Sequence, residues 1–352
     1  METMLSIRRI AAGSGRNRGV WGPGLVASAM VCAVMLLSGG GMPLPGASGA
    51  AVLHVLYAGS LVNLVEEGLA PAFREQTHLA VEGLPGGSVA LAHMILDRLR
   101  RADVFISADP EVNHLLMRPG PGPSAPWFFT LARNTLVVAY DPRSKFASAL
   151  GHSAAGHAPG GRPWHEILAR PGFRLGRTDP QLDPKGYRTI LMLRLAEHYY
   201  HRADLEQRII GSPENPRQIF PEEELMGRLE SGQLDAGIFY LNEAVEHHLP
   251  YVTLPDEINL GNPAMASAYA HATYRLPTGE VRRGAPIVYT VTIPSTADNV
   301  AGAIRFVQFL YGPGGRAALT AHGLLPAPPL AGGDVREVPP ALKPLITGSY
   351  GG

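Results

Sequence analysis

Cysteine is nearly absent: among 352 residues the only one is Cys32. Zinc–thiolate sites, iron–sulfur clusters, disulfide frameworks and cysteine nucleophiles all need thiols beyond that position, so these chemistries drop out. A surplus of charge is missing too, with 30 Lys and Arg against 30 Asp and Glu. The basic residues are scattered and form no stripe, which argues against nucleic acid as a partner. No internal repeat is visible, which removes solenoids and propellers. A Gly-x-Ser-x-Gly elbow is lacking around Ser60 and Ser88, the serines singled out below, so an exported hydrolase has no nucleophile signature there.

Long apolar stretches are confined to the N-terminus. Arg8, Arg9, Arg16 and Arg18 precede an apolar run from Leu25 to Leu37, and the small-residue tail Pro45-Gly46-Ala47-Ser48-Gly49-Ala50 follows. Basic, apolar and small residues in that order make a secretory signal over residues 1–50, with a mature start near Ala51. The run is shorter than the roughly 20 apolar residues of a membrane span. Cys32 lies inside it behind Met30 and Val31, where lipid attachment requires small residues, so cleavage is favoured over lipidation. Arg8-Arg9 after Ser6 also fits a twin-arginine signal, and the export route stays open. The expected location is the periplasm or the outer face of the cytoplasmic membrane.

The remaining chain is long enough for two domains of ordinary size. Buried-strand runs alternate with helical patterns, the mark of an α/β fold. Val52–Tyr57 reads as a strand before a helix at Leu61–Gln76, and Leu79–Leu84 as a strand before a helix at Val89–Arg100. Ala102–Asp109 ends in an Asp109-Pro110 helix start, and Arg118–Pro126 is a loop before a strand at Asn134–Tyr140. Asp141–Pro163, rich in Gly, Pro and small residues, is expected to be loop. Helices follow at Tyr187–His201, Glu222–Glu230, Leu241–His248, Asn299–Tyr311 and Gly314–Ala321, with strands at Phe173–Gly176, Asp235–Tyr240, Pro250–Leu254 and Ala285–Pro294. The tail from Ala327 is expected to pack outside or fray.

Two turns stand out. Ala58-Gly59-Ser60-Leu61 and Gly86-Gly87-Ser88-Val89 each end a strand and open a helix. The free amides and positive dipole end of a helix start favour an anion. Neighbouring parallel strands would aim both starts into one crevice.

These blocks, in order with Ala102-Asp103-Val104 through Ser107-Ala108-Asp109, Asp183-Pro184-Lys185-Gly186-Tyr187-Arg188, Leu254–Leu260, Pro286–Tyr289 and Ala303–Leu310, resemble the extracytoplasmic molybdate/tungstate-binding proteins of ABC transporters, in particular the archaeal-type branch. The resemblance spans most of the chain after Ala51. It implies a two-lobed periplasmic-binding-protein fold (type II) with ligand in the cleft. One lobe would comprise residues 51–138 and 286–352 and the other residues 139–285, with crossings near Tyr140-Asp141 and Ala285-Pro286. It further implies a monomer that hands its oxyanion to a membrane permease, with no cofactor.

A tetrahedral dianion calls for converging hydrogen-bond donors. Ser60 and Ser88 with their local amides supply them from one lobe; the alternative for each is an ordinary helix cap. In some relatives of this branch two carboxylates reach the metal and raise its coordination from four to six. Asp183 matches the first of these, and its alternative role is to cap the helix entered through Pro184. The second is a Glu directly before a Tyr, but here that position is Phe239, which favours four-coordinate binding; Glu243 could serve only with a rearranged backbone. Tyr240 and Asn242 remain candidate donors.

Other conspicuous residues read as structural. His152, His157, His165, His247 and His248 are expected to be solvated, Glu222-Glu223-Glu224 to satisfy a helix dipole, and Arg188 to brace the turn beneath the site. Sulfate or phosphate is the alternative ligand. A regulator's sensing lobe is disfavoured by an export signal where a DNA-reading helix would stand.

Overall fold

The strand Val52–Ala58 lies at the centre of the arrangement that matters. It pairs in parallel with Ala80–Gly86 on one side and with Val104–Ser107 on the other, and Ala58 stands opposite Gly86. Both strands therefore end at the same edge, each running directly into a helix start. This computed structural model describes residues 52–118, 124–154 and 162–351; the expected signal sequence and His157 lie outside them.

Beyond Val104–Ser107 the same sheet continues antiparallel through Val288–Thr292, Trp127–Arg133 and Leu330–Gly333, the last pairing in parallel with Gly348–Ser349, and Leu325–Pro326 also pairs with Trp127–Arg133. A smaller sheet holds Leu175–Gly176, Ala236–Tyr240, Leu136–Tyr140 and Tyr251–Thr253. The chain changes sheet between Arg133 and Leu136, and returns to the larger sheet at Val288. Apolar side chains bury both faces of these strands: every residue of Leu136–Tyr140 and Ala236–Tyr240 is buried. Helix Val300–Tyr311 seats Phe306 and Phe309 on Phe73, with ring centroids 5.0 and 5.5 Å away. No helix among the described residues is long and apolar enough to cross a membrane.

Four expectations change. The helix expected over Leu61–Gln76 is a 3₁₀ turn at Gly59–Leu61, a π-helix at Leu64–Leu69 and an α-helix at Ala70–Thr77. Pro71 has no N–H to give, and the wider turn ends just before it, with Ala70 N–H reaching back to Val65. Trp127–Arg133 is a buried strand that the reading of Asn134–Tyr140 as one element passed over. Ala147–Ala154 is a helix inside the expected loop, its small residues costing little side-chain entropy.

The tail does not lie outside. Leu330–Gly333 is bonded to Trp127–Arg133, and a Cβ at Gly332 would sit 2.2 Å from the Phe128 ring. Glycine at that position is what lets the strand approach.

Candidate functional site

The first strand ends at Ala58, and Gly59 begins the 3₁₀ turn. The amides of Gly59 and Ser60 have no partner within that turn's own backbone; both donate to the Glu222 carboxylate, each at 3.1 Å. A Cβ at Gly59 would lie 2.9 Å from the Glu222 side chain, so the carboxylate packs directly against the bare glycine backbone. Ser60 Oγ pairs with the Tyr289 hydroxyl at 2.9 Å, and its carbonyl accepts from Asn242 Nδ2 at 2.7 Å. Asn242 Oδ1 in turn accepts from Asn134. Asn242, expected as a ligand donor, thus has its amide committed to the Ser60 turn.

The second helix start lies on the adjacent strand. Ser88 is fully buried, and its Oγ accepts from Ala108 N–H at 3.1 Å. Val89 and Ala90 both donate to the carbonyl of Leu182, each at 3.1 Å. That carbonyl comes so close that a Cβ on Gly87 would stand 2.6 Å from it. The turn carrying Asp183 is therefore pressed against the second Gly-Ser start.

Asp183 caps the helix Pro184–Tyr199, with Oδ1 accepting from Lys185 N–H at 2.9 Å, while Oδ2 makes no hydrogen bond among the described residues. Lys185 is fully buried. Its Nζ donates to Glu243 at 2.7 and 2.9 Å and lies 3.4 Å from Glu222. The Phe239 and Tyr240 rings face the same ammonium, at 5.3 and 5.5 Å. Glu243 also accepts from Tyr240 N–H at 2.8 Å, so it is engaged without any rearrangement of the backbone.

Burial pushes the Glu222 carboxyl well above the ordinary range, and the neighbouring Asp183 charge adds to it. Asp183 is raised by burial as well. Burial disfavours the Lys185 charge, but Glu243, Glu222 and Asp183 together outweigh it and hold the ammonium above its usual value. The pocket is a dense cluster of three carboxyl groups around one ammonium.

Beneath it, Arg188 joins the two sheets. Its guanidinium donates to the Ala108 carbonyl, the Tyr240 hydroxyl and Asp109, at 2.7, 2.8 and 2.8 Å, while Tyr187 adds a bond to Asp109. Tyr240 is reached as an acceptor, which leaves its own hydroxyl proton to give.

Ser60, Asp183, Tyr240 and Asn242 are thus linked through direct contacts or one intermediary, and Ser88 joins them through the turn at Leu182. Two residues were missed. Lys185 was visible as the residue after Asp183-Pro184, and Glu222 as the first of three glutamates. The run does open the helix Glu222–Glu230, yet Glu222 is buried and reaches across to the Gly59 turn. Nothing local in the sequence marks that reach, which spans 163 positions. The histidines are not uniformly solvated either. His165 is buried between Trp164 and Tyr200, its ring centroid 4.4 Å from the latter, and His247 bonds Glu230 at 2.7 Å.

A doubly sheeted α/β chain with donors from both sheets meeting in one crevice is the construction of a solute-binding protein. The chain belongs to the bacterial extracellular solute-binding protein family, whose sequence pattern matches residues 53–325. It is 34% identical over 268 residues to an uncharacterized solute-binding protein of Petrotoga mobilis, covering 74% of this chain and 79% of that one. A putative ABC transporter molybdenum-binding protein of Haloferax volcanii is 38% identical over 244 residues, 69% of this chain and 72% of its own. The molybdate/tungstate-binding protein of Thermococcus kodakarensis is 32% identical over 312 residues, 81% and 85% of the two chains.

Among solved structures, the periplasmic molybdate-binding protein of Azotobacter vinelandii is 21% identical, covers 78% of this chain and 98% of its own, and superposes with a TM-score of 0.50. The sulfate-binding protein of Mycobacterium tuberculosis is 14% identical, covers 79% and 87%, and gives 0.52. These likenesses carry the fold alone: the two-lobed periplasmic-binding-protein architecture.

Proposed function

We propose that this protein captures molybdate or tungstate outside the cytoplasmic membrane and delivers it, as a monomer, to the membrane permease of an ABC transporter. The observation that carries this reading is the pair of amides at Gly59 and Ser60 closing on a carboxylate, because two N–H groups at a helix start that hold one anion can hold another. The names of the Haloferax and Thermococcus relatives support the choice of oxyanion.

In this reading Ser60 and Ser88 face the ligand from the larger sheet, and Asp183 and Tyr240 from the smaller one, while Asn242 holds the Ser60 turn in place. The two sheets are the two lobes; because the strand Leu136–Tyr140 lies wholly in the smaller sheet, the first crossing falls at residues 133–136 and not near Tyr140-Asp141, while the second stays near Ala285-Pro286, just before the larger sheet resumes at Val288. Phe239 offers no carboxylate, so the metal keeps four oxygens and is held by hydrogen bonds. The protein binds and releases its ligand and catalyses nothing. Residues 1–50 direct export and are removed, leaving a start near Ala51, which N-terminal sequencing of the exported protein checks.

Calorimetric titration with molybdate, tungstate, sulfate and phosphate tests the assignment. Saturable binding of the first two, undisturbed by the others, is expected. Binding of sulfate or phosphate in preference would replace the ligand, and heat from none of the four would overturn the reading.

A further inference from the structure

We infer that the Glu222 carboxylate is a built-in stand-in for the ligand: it occupies the oxyanion's place on the Gly59 and Ser60 amides and is expelled when an oxyanion binds. The inference rests on the proposed anion site and adds the competitor that an incoming anion must defeat.

Three observations carry it. First, Glu222 opens its own helix, where a carboxylate ordinarily serves the amides of that same helix, yet it turns away to serve a turn 163 positions distant. Glu223 and Glu224 remain in the first turn to complement the dipole. Second, the arrangement matches that of a bound oxyanion: one carboxylate oxygen on each amide at 3.1 Å, with a buried ammonium 3.4 Å away.

Third, the surroundings permit exchange and forbid coexistence. Asp183, Glu222 and Glu243 already crowd one lysine, and adding a dianion beside all three would be strongly repulsive in a buried site. Replacing Glu222 by the dianion limits that cost. Lys185 is fixed on its far side by two bonds to Glu243, so it stays for whichever anion is present. A cavity of about 210 Å³ beside Gly59, Ser60, Met226 and His247 gives the glutamate side chain room to move, although Glu223, Glu230, Glu243 and Glu246 also line it, so the expelled side chain enters acidic surroundings and its exit is driven by the stronger bonds of the incoming dianion.

The consequence is selectivity by charge. Only an anion that bonds the two amides and Lys185 better than a carboxylate does will enter, so weak hydrogen-bond acceptors such as nitrate are refused, while the choice among tetrahedral dianions is left to the size of the site.

The test compares the wild-type protein with Glu222→Gln and Glu222→Ala. Molybdate is titrated calorimetrically, and hydrogen exchange of the Gly59 and Ser60 amides is followed without ligand. At least fivefold tighter molybdate binding in both variants is expected, with faster exchange of the two amides in Glu222→Ala and renewed protection once molybdate is added. Wild-type binding with unchanged or weaker binding in both variants overturns the inference and leaves the anion site standing. Should neither wild type nor variants bind molybdate, tungstate, sulfate or phosphate, the functional reading falls and the inference with it. Glu222→Gln preserves shape and one acceptor, and it decides the matter if the alanine variant does not fold.

Discussion

The serine hydroxyls at the two helix starts carry different duties. Ser88 Oγ is the acceptor for the buried Ala108 amide, so Ser88→Ala strands that donor and should cost about 1–3 kcal/mol of stability, read by urea denaturation. Ser60 Oγ pairs with the Tyr289 hydroxyl, which has Asn134 as a second neighbour at 3.4 Å. Ser60→Ala should therefore spare the fold and weaken molybdate about ten- to a hundredfold, the worth of a hydrogen bond to a charged group. Equal stability loss in both variants, with affinity intact, would assign both serines to structure. Asp183 raises the coordination question. Its Oδ1 acts as a helix cap, which Asn can replace, so Asp183→Asn should leave molybdate affinity within a fewfold of wild type. X-ray absorption of the wild-type complex should then show four oxygen neighbours; six would make Asp183 a metal ligand and require a second carboxylate, for which Glu222 and Glu243 lie nearest Lys185.

The helix Pro184–Tyr199 shows how closely one element is fitted to its neighbours. At Gly186 a Cβ would lie 2.5 Å from the backbone of Asp179, so Gly186→Ala must push the incoming turn away and should cost about 1–3 kcal/mol in a thermal melt. An unchanged melt would mean that the turn yields freely. The start of this helix was legible, because Asp183 before Pro184 is a cap followed by a residue that needs no N–H. Glu222–Glu230 was legible too, from its acidic first turn. Elements made by distant partners were not. Trp127–Arg133 and the tail strand Leu330–Gly333 are strands because each completes the other's hydrogen-bond ladder, and neither shows a clean alternation by itself. The candidate site divides in the same way. The Gly-Ser turns and Asp183 announce themselves through local chemistry, whereas the buried Lys185–Glu222–Glu243 cluster exists only once the two sheets face one another.

For the whole molecule, buried carboxyl groups set how stability changes with pH. Glu246 is pushed up to about 8, chiefly by burial and then by the charge of Glu243. His322 faces it at 2.8 Å, and Glu67 is a further negative neighbour. A carboxyl raised in the folded state holds its proton where the unfolded chain has already released it. Its stabilising effect is therefore complete below the ordinary carboxylate range and disappears as pH rises towards about 8. Asp183 and Glu222, also raised, act in the same direction. His165 and His322 oppose this through the ordinary imidazole range, since burial holds them neutral and stability grows as the unfolded chain loses its protons. The Glu246 contribution is separable as the difference between wild type and Glu246→Gln. Thermal unfolding without ligand, followed from about pH 5 to about pH 9, should show the variant gaining on the wild type as pH rises, with the gain levelling off above about pH 8. A difference that stays constant across that range would show that Glu246 is ionised throughout, in the folded protein as in the unfolded chain.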